Sequence, residues 1–330
     1  ATQILIGFVA MVTPLTGLVG ADCGCATRPP RGQYTVGTDS PQLPSDGESP
    51  ARLVRFRRPF RLDTAAVTRG QFAQFVRATG HRTDAETAGE SFVPDILVDA
   101  ETFSDPVVVP GRVANAPWWL PVREPPARRP PSGESKVAAG VVEWTPDSVI
   151  PAVHVSWRDA DAYCRWQGKR LPTEDEWEAA CRAGLSDRLF PWGNAPRPGG
   201  RHRMNIWQGE FPRLNTADDG YVGTAPCSWG CRADKRRIDW AGGDAYGPQN
   251  SFGLYNMVGN VWEWTASPLD RNGAPDELPQ RPAASDEMTK KGGSFMCHKS
   301  YCYRYRCAQG RRDTADTSSA NIASAAPSMW

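Results

Sequence analysis

The sequence carries almost no net charge: 38 Lys and Arg stand against 37 Asp and Glu, a formal balance of +1. That excludes a basic field able to hold nucleic acid or an anionic membrane surface. There is no apolar run long enough for a bilayer. The stretch from Ile4 to Val19 is interrupted by Pro14 and has no basic residue before it, so it reads as a signal remnant or an arbitrary start rather than a membrane span. The chain holds no G-x-S-x-G, no G-x-G-x-x-G, no P-loop and no Asn-x-Ser/Thr sequon. The histidines His81, His154, His202 and His298 show no partner pattern, so triad, dinucleotide and nucleoside-triphosphate chemistry find no support.

What is present in excess is Gly (31), Pro (30) and Trp (13). Such a composition predicts many turns pinned by aromatic anchors, and excludes a helix bundle or coiled coil. At 330 residues the chain is one large domain or two modest ones. Residues 26–50 read as loops, and the alternation from Leu53 to Arg57 reads as a strand. Thr68 and Gln71 form a capping box ahead of Phe72, Phe75 and Val76 on one helical face. Ser156 caps a second helix carrying Trp157, Ala160 and Cys164 and ending at Gly168; Thr173 with Glu176 caps a third carrying Trp177 and Cys181. From Phe190 onward the Trp-, Gly- and Asn-rich pattern suits tight turns and short strands, with the tryptophans read as core.

Nine cysteines are an odd number, so at least one thiol is free, metal-bound or paired with another chain. The densest reactive cluster is KGGSFMCHKSYCYRYRC, Lys291 to Cys307. Cationic neighbours there lower thiol pKa. Cys297 and Cys302 could form a short disulfide loop or bind a soft ion such as Cu(I), while an ordinary structural disulfide pair explains the same spacing. Zinc would want a second pair, for which Cys227 and Cys231 are candidates. Oxygen-bearing residues recur in the turn-rich half, at Asn205, Asp218, Asp219, Asn256, Asn260 and Glu263. They suit calcium, although for any single one the simpler reading is a turn-former.

The strings KKGGSFMCHKSYCYRYRC, HVSWRDADAYCRWQGKRLPTEDEWEAACRAGL, FPWGN, NIWQGEFPRLNTADDGYVGTAP, FGLYNMVGNVWEWT and APWWLPV closely resemble the formylglycine-generating enzyme (sulfatase-modifying factor) family, in its active animal-type form. The resemblance covers residues 32–122 and 151–322. It implies an α+β fold, a single elaborated C-type-lectin-like domain with little regular structure, spanning 32–330 behind an amino-terminal extension at 1–31. It also implies an oxidase that converts the cysteine of a Cys-x-Pro-x-Arg motif in unfolded sulfatases to Cα-formylglycine with molecular oxygen. By the same resemblance Cys297 and Cys302 hold Cu(I), Ser294, Trp262 and Tyr301 line the oxygen and substrate pocket, and Asn321 and His298 contact substrate. Structural calcium would take Asn205, Ile206, Asp219 and Tyr221 in one site, and Asn256, Gly259, Val261 and Glu263 in another. Cys181 and Cys307 match a family disulfide, and Cys23 and Cys25 match an amino-terminal pair that exchanges with thiol-oxidoreductase partners. Together these imply the endoplasmic reticulum lumen, an oxidising compartment. The alternatives are a non-catalytic sulfatase-peptide-binding paralogue of the same fold, which in the family lacks the cysteine pair, and a calcium-dependent carbohydrate binder, which the lack of a Glu-Pro-Asn type motif disfavours.

Part of residues 1–31, and residues 123–150, 227–250 and 323–330, depart abruptly from the family pattern. Where the family continues Asn-(Leu/Ile)-Gly-Phe-Arg-Cys, this chain has Asn321-Ile322 followed by Ala323-Ser324-Ala325-Ala326. Loss of one G from GGC TTC CGC TGC reads Ala-Ser-Ala-Ala, which points to a frameshift. The expected consequences are loss of the Gly-Phe-Arg strand and an unpaired Cys164, whose family partner is the missing final cysteine.

Overall fold

Side-chain caps fix where the helices begin. In the computed structural model, which describes residues 26–27, 29, 32–123, 149–227, 246–268, 282–324 and 328–329, Thr68 Oγ1 accepts the Gln71 N–H at 3.2 Å and Gln71 Oε1 accepts the Thr68 N–H at 2.9 Å. This reciprocal pair satisfies two orphan donors and opens α1 (Arg69–Thr79). Short helices α2 (Asp84–Ala88) and α3 (Ala100–Phe103) follow. Ser156 with Asp159 opens α4 (Trp157–Trp166), and Thr173 with Glu176 opens α5 (Glu174–Arg182), each through the same box. Phe72 of α1 stacks on Tyr163 of α4 at 5.7 Å between ring centroids, which joins the first two long helices.

Strands are short. β1 (Gln33–Val36) pairs antiparallel with β2 (Arg52–Arg55). The alternation expected to run to Arg57 stops at Arg55, because the ladder ends where Arg55 meets Gln33. β3 (Glu90–Pro94) and β4 (Trp119–Arg123) form another antiparallel pair. The largest sheet holds β5 (Trp262–Pro268), β6 (Glu287–Lys291), β7 (Gly310–Thr314) and β8 (Ile322–Ser324), in the order β7-β6-β5-β8. β8 runs parallel to β5 and the other pairs are antiparallel. The result is a mixed α/β fold with little regular structure, in which long loops carry the core contacts.

Tryptophans tie the helices to β5. Trp157 Nε1 donates to the Thr265 carbonyl at 2.7 Å, Trp264 Nε1 to the Val155 carbonyl at 3.0 Å, and Trp177 Nε1 to Glu263 Oε2 at 2.6 Å. Each indole thus buries its rings while its one donor is satisfied. Despite its acidic sequence, α5 is buried along most of its length. Its charges are paired: Lys291 Nζ lies 3.3 Å from Glu174 and 3.4 Å from Glu178, and Arg182 bonds Glu178 and the Gly37 carbonyl. Removing one partner would leave an uncompensated charge in the core. Cys181 of α5 is disulfide-bonded to Cys307 with Cα atoms 5.7 Å apart.

The carboxy-terminal expectation needs one correction. The strand expected to be lost is present as β8, with Ala323 and Ser324 fully buried. A ladder is made by backbone groups, so the small side chains written here still permit it. Cys164 is free, buried, and hydrogen-bonded to Ser324. Cys23, Cys25 and Cys231, most of 123–150 and 227–250, and residues 325–327 and 330 lie outside the described residues. Among the described residues no helix is long and apolar enough to cross a membrane.

Candidate active site

Two glycines aim the cysteine loop. Leaving β6, the chain passes Gly292 at φ 92° and Gly293 at φ 73°, both left-handed. A Cβ would meet the Met257 carbonyl oxygen at 2.7 Å at the first and Tyr305 Cα at 3.0 Å at the second, so both backbone angle and space require glycine. Ser294 follows at once, and its carbonyl accepts the Cys297 N–H at 2.9 Å. The His298 carbonyl then accepts from Tyr301 at 3.0 Å and from Cys302 at 2.7 Å. These turns bring Cys297 and Cys302 together with Cα atoms 4.7 Å apart, joined in this structure as a disulfide. Both are buried.

They sit at an open pocket of about 250 Å3, lined also by Ser294, Trp262, Tyr301 and Asn321. Asn321 Nδ2 donates to Ser294 Oγ at 2.8 Å, and Ser319 Oγ donates to Asn321 Oδ1 at 2.7 Å. Tyr301 stacks on Phe211 at 4.6 Å and meets Trp118 edge-on at 4.8 Å. His298 is not in the wall; its Nδ1 lies 2.7 Å from the Ser300 hydroxyl of the same loop. The pocket adds residues that sequence reasoning passed over, among them Lys290, Arg311 and Asp313. Lys290 is ion-paired with Asp313 and lies over the Trp262 and Trp264 rings, and burial pulls its pKa below the ordinary lysine value. The signal was available as period-two alternation on β7, which puts residues 311 and 313 on one face.

The two oxygen-rich loops brace this site. The Asn205 carbonyl accepts the Asn260 N–H at 2.7 Å, the Gly292 carbonyl accepts from Gly259 at 2.9 Å, and the Asn260 carbonyl accepts from Phe295 at 2.9 Å. In the first loop Asp219 accepts the N–H groups of Ile206 at 2.9 Å and Tyr221 at 3.1 Å, and Asn205 Oδ1 is buried with no donor. In the second, Asn256 and Gly259 take left-handed angles, and burial pushes the Glu263 carboxyl up to about 8. Among the described residues no three His, Cys, Asp or Glu side chains gather at one metal-sized site. A cation in these loops would therefore take carbonyl and amide oxygens, as calcium accepts. The orphaned Asn205 oxygen, and a Glu263 side chain that has no ion-pair partner among the described residues and accepts from the Trp177 indole, fit that chemistry. The two buried sulfurs fit a soft monovalent metal.

Comparison with known proteins identifies the family. The family model described as sulfatase-modifying factor enzyme 1-like domain matches residues 27–323. The formylglycine-generating enzyme of Bos taurus is 47% identical over 295 residues, 89% of this chain and 71% of the relative. The inactive C-alpha-formylglycine-generating enzyme 2 of Bos taurus is 40% identical over 296 residues, 89% of this chain and 84% of the relative. Among solved structures, PvdO from Pseudomonas aeruginosa superposes with a TM-score of 0.55 at 22% identity, covering 91% of this chain and 92% of that one, a likeness of fold. With a family match spanning most of its length, the chain belongs to the sulfatase-modifying factor enzyme family.

Proposed function

We propose that this chain oxidises the cysteine of a Cys-x-Pro-x-Arg motif in unfolded sulfatases to Cα-formylglycine, using molecular oxygen. The observation that carries the reading is the pair of buried sulfurs at Cys297 and Cys302, held 4.7 Å apart at Cα on the wall of an open pocket. Reduced, the pair would hold Cu(I), which supplies the means of activating oxygen. The protein's own contribution is placement. Trp262 and Tyr301 offer aromatic walls that exclude water from a bound thiol, while Ser294 and Asn321 offer polar groups to the reacting sulfur. The Asn205, Ile206, Asp219, Tyr221 loop and the Asn256, Gly259, Val261, Glu263 loop would each hold a structural calcium ion, stiffening the backbone behind the cysteine loop. We assign the fold to the elaborated C-type-lectin-like class and the protein to the endoplasmic reticulum lumen, where Cys23 and Cys25 would exchange with thiol oxidoreductases.

The experiment is oxygen-dependent conversion of a Cys-x-Pro-x-Arg peptide by reduced, Cu(I)-loaded protein, followed by mass spectrometry. The thiol-to-aldehyde mass change is expected in the parent and absent in Cys297→Ala and Cys302→Ala. Its absence from folded, copper-loaded parent that still binds the peptide would favour the non-catalytic reading, which the 40% identity to an inactive relative keeps in view.

A further inference from the structure

The charges lining the pocket do not balance. Apart from the cysteine pair, three of its lining side chains carry charge at neutral pH, namely Lys290, Arg311 and Asp313. The antiparallel ladder of β6 and β7 sets Lys290 directly opposite Arg311. Two cations therefore share one face of the sheet, an arrangement that costs stability unless anions join them. Asp313 lies two positions along β7 on the same face and supplies one anion, which Lys290 Nζ takes.

Arg311 has no such partner. Its side chain is exposed, and among the described residues no carboxylate is paired with its guanidinium. Asp313 is committed elsewhere. Burial weighs against the Lys290 ammonium, the positive charges of Arg311 and Arg304 add to that, and Asp313 is what holds it charged. Turning Asp313 toward Arg311 would abandon a buried cation, the costlier of the two to leave alone. Arg304 is itself held by Asp46 and competes for neither. One positive charge is thus left uncompensated in the same pocket as Cys297 and Cys302. At about 250 Å3 that pocket takes only a short piece of chain, so a peptide thiol brought to the cysteine pair carries just its nearest neighbours toward Arg311.

We infer that Arg311 is a specificity-determining residue: it selects peptides that carry an aspartate or glutamate side chain beside the target cysteine, and that carboxylate completes a set of two cations and two anions on this face of the sheet. A guanidinium offers a carboxylate two parallel donors, so the pairing has direction as well as charge. The inference rests on the thiol-oxidation reading for the ligand's being a cysteine peptide, but the unmatched guanidinium belongs to this chain alone.

The test uses matched Cys-x-Pro-x-Arg peptides that differ by Glu against Gln at a single place, taken in turn at the two positions before the cysteine and the one after it. In the parent, kcat/KM for the Glu member should exceed that of its Gln twin about fivefold at one or more of these positions, the scale of a partly exposed ion pair. Added salt should shrink the ratio. Arg311→Gln should bring it to about one, Arg311→Glu should invert it, and Arg311→Lys should keep part of it. Each ratio is taken within one protein, so a general loss of activity cancels. A ratio near one at all three positions in the parent, or a preference that survives in Arg311→Gln, would overturn the proposal. If the parent converts no peptide, the oxidase reading fails, and fluorescence anisotropy with the same labelled pairs decides the charge selection. A Glu preference in binding that Arg311→Gln removes would uphold it, and the lack of one would overturn it as well.

Discussion

Lys290 Nζ lies 5.3 Å from the centroid of the Trp262 ring, so a buried ammonium braces an aromatic wall of the pocket. The same ammonium is paired with Asp313, which anchors it from β7. A desolvated cation over indole contributes about 2 kcal/mol. Lys290→Met, close in volume, should therefore loosen Trp262 and lower kcat/KM for the peptide about tenfold. Trp emission reports the wall directly, and a variant with parent kinetics and parent emission would contradict the brace.

The turn ahead of Ser294 is the most constrained backbone in the site. Gly293→Ala must take a left-handed angle and place a Cβ 3.0 Å from Tyr305 Cα, which is backbone and cannot swing away. A destabilisation of about 1–3 kcal/mol is expected, together with loss of peptide conversion as the cysteine loop shifts. Thermal unfolding and conversion are the two readouts, and a variant as stable and active as the parent would show the loop to be pliant.

Burial holds His154 near a pKa of about 3, with Arg69 adding repulsion against its charged form. Unfolded, the imidazole titrates near its ordinary value of 6.5. Between these two values the unfolded chain binds a proton that the folded one refuses, so stability falls as pH falls. Full separation of the two states gives a slope of about 1.4 kcal/mol per pH unit from this group. His154→Asn should flatten the acid limb of a urea-unfolding series, since Asn tolerates the left-handed φ of 61° at this position. Parallel pH profiles for parent and variant would contradict the assignment.

Thiol chemistry separates the cysteines by environment. Cys164 and Cys227 are free and buried, and burial raises the pKa of both thiols far above the ordinary value. Neither should react with an aromatic disulfide reagent in native protein, and both should react after denaturation without reductant, as located by peptide mapping. Failure to label Cys164 in denatured protein would show it paired.

The Cys181–Cys307 bond closes a loop spanning 126 positions. Its loss in Cys181→Ser should cost about 2–5 kcal/mol. Reductant should lower the unfolding midpoint of the parent while leaving that variant unmoved by this bond, and an equal midpoint for parent and variant would show the bond to be dispensable.

Local rules in the sequence determined a good deal. The capping boxes at Thr68, Ser156 and Thr173 are read within four residues of chain, and the helices start where those side chains say, because the donors they satisfy are local. The adjacent glycines before Ser294, and the two cysteines that share a turn, are equally local. Membership of the family is carried by strings of this kind. The tertiary structure alone decided what lies across the pocket. Asn321 meets Ser294 from 27 positions away, just ahead of β8, and Lys290 faces Asp313 across a ladder. No local pattern marks α5 as buried, since its glutamates find their cations on β6, at Arg170 and within the helix only once the chain has folded. β8 likewise forms although its side chains depart from the family pattern, because strand pairing is made by the backbone and asks of Ala323 and Ser324 only that they be small enough to fit.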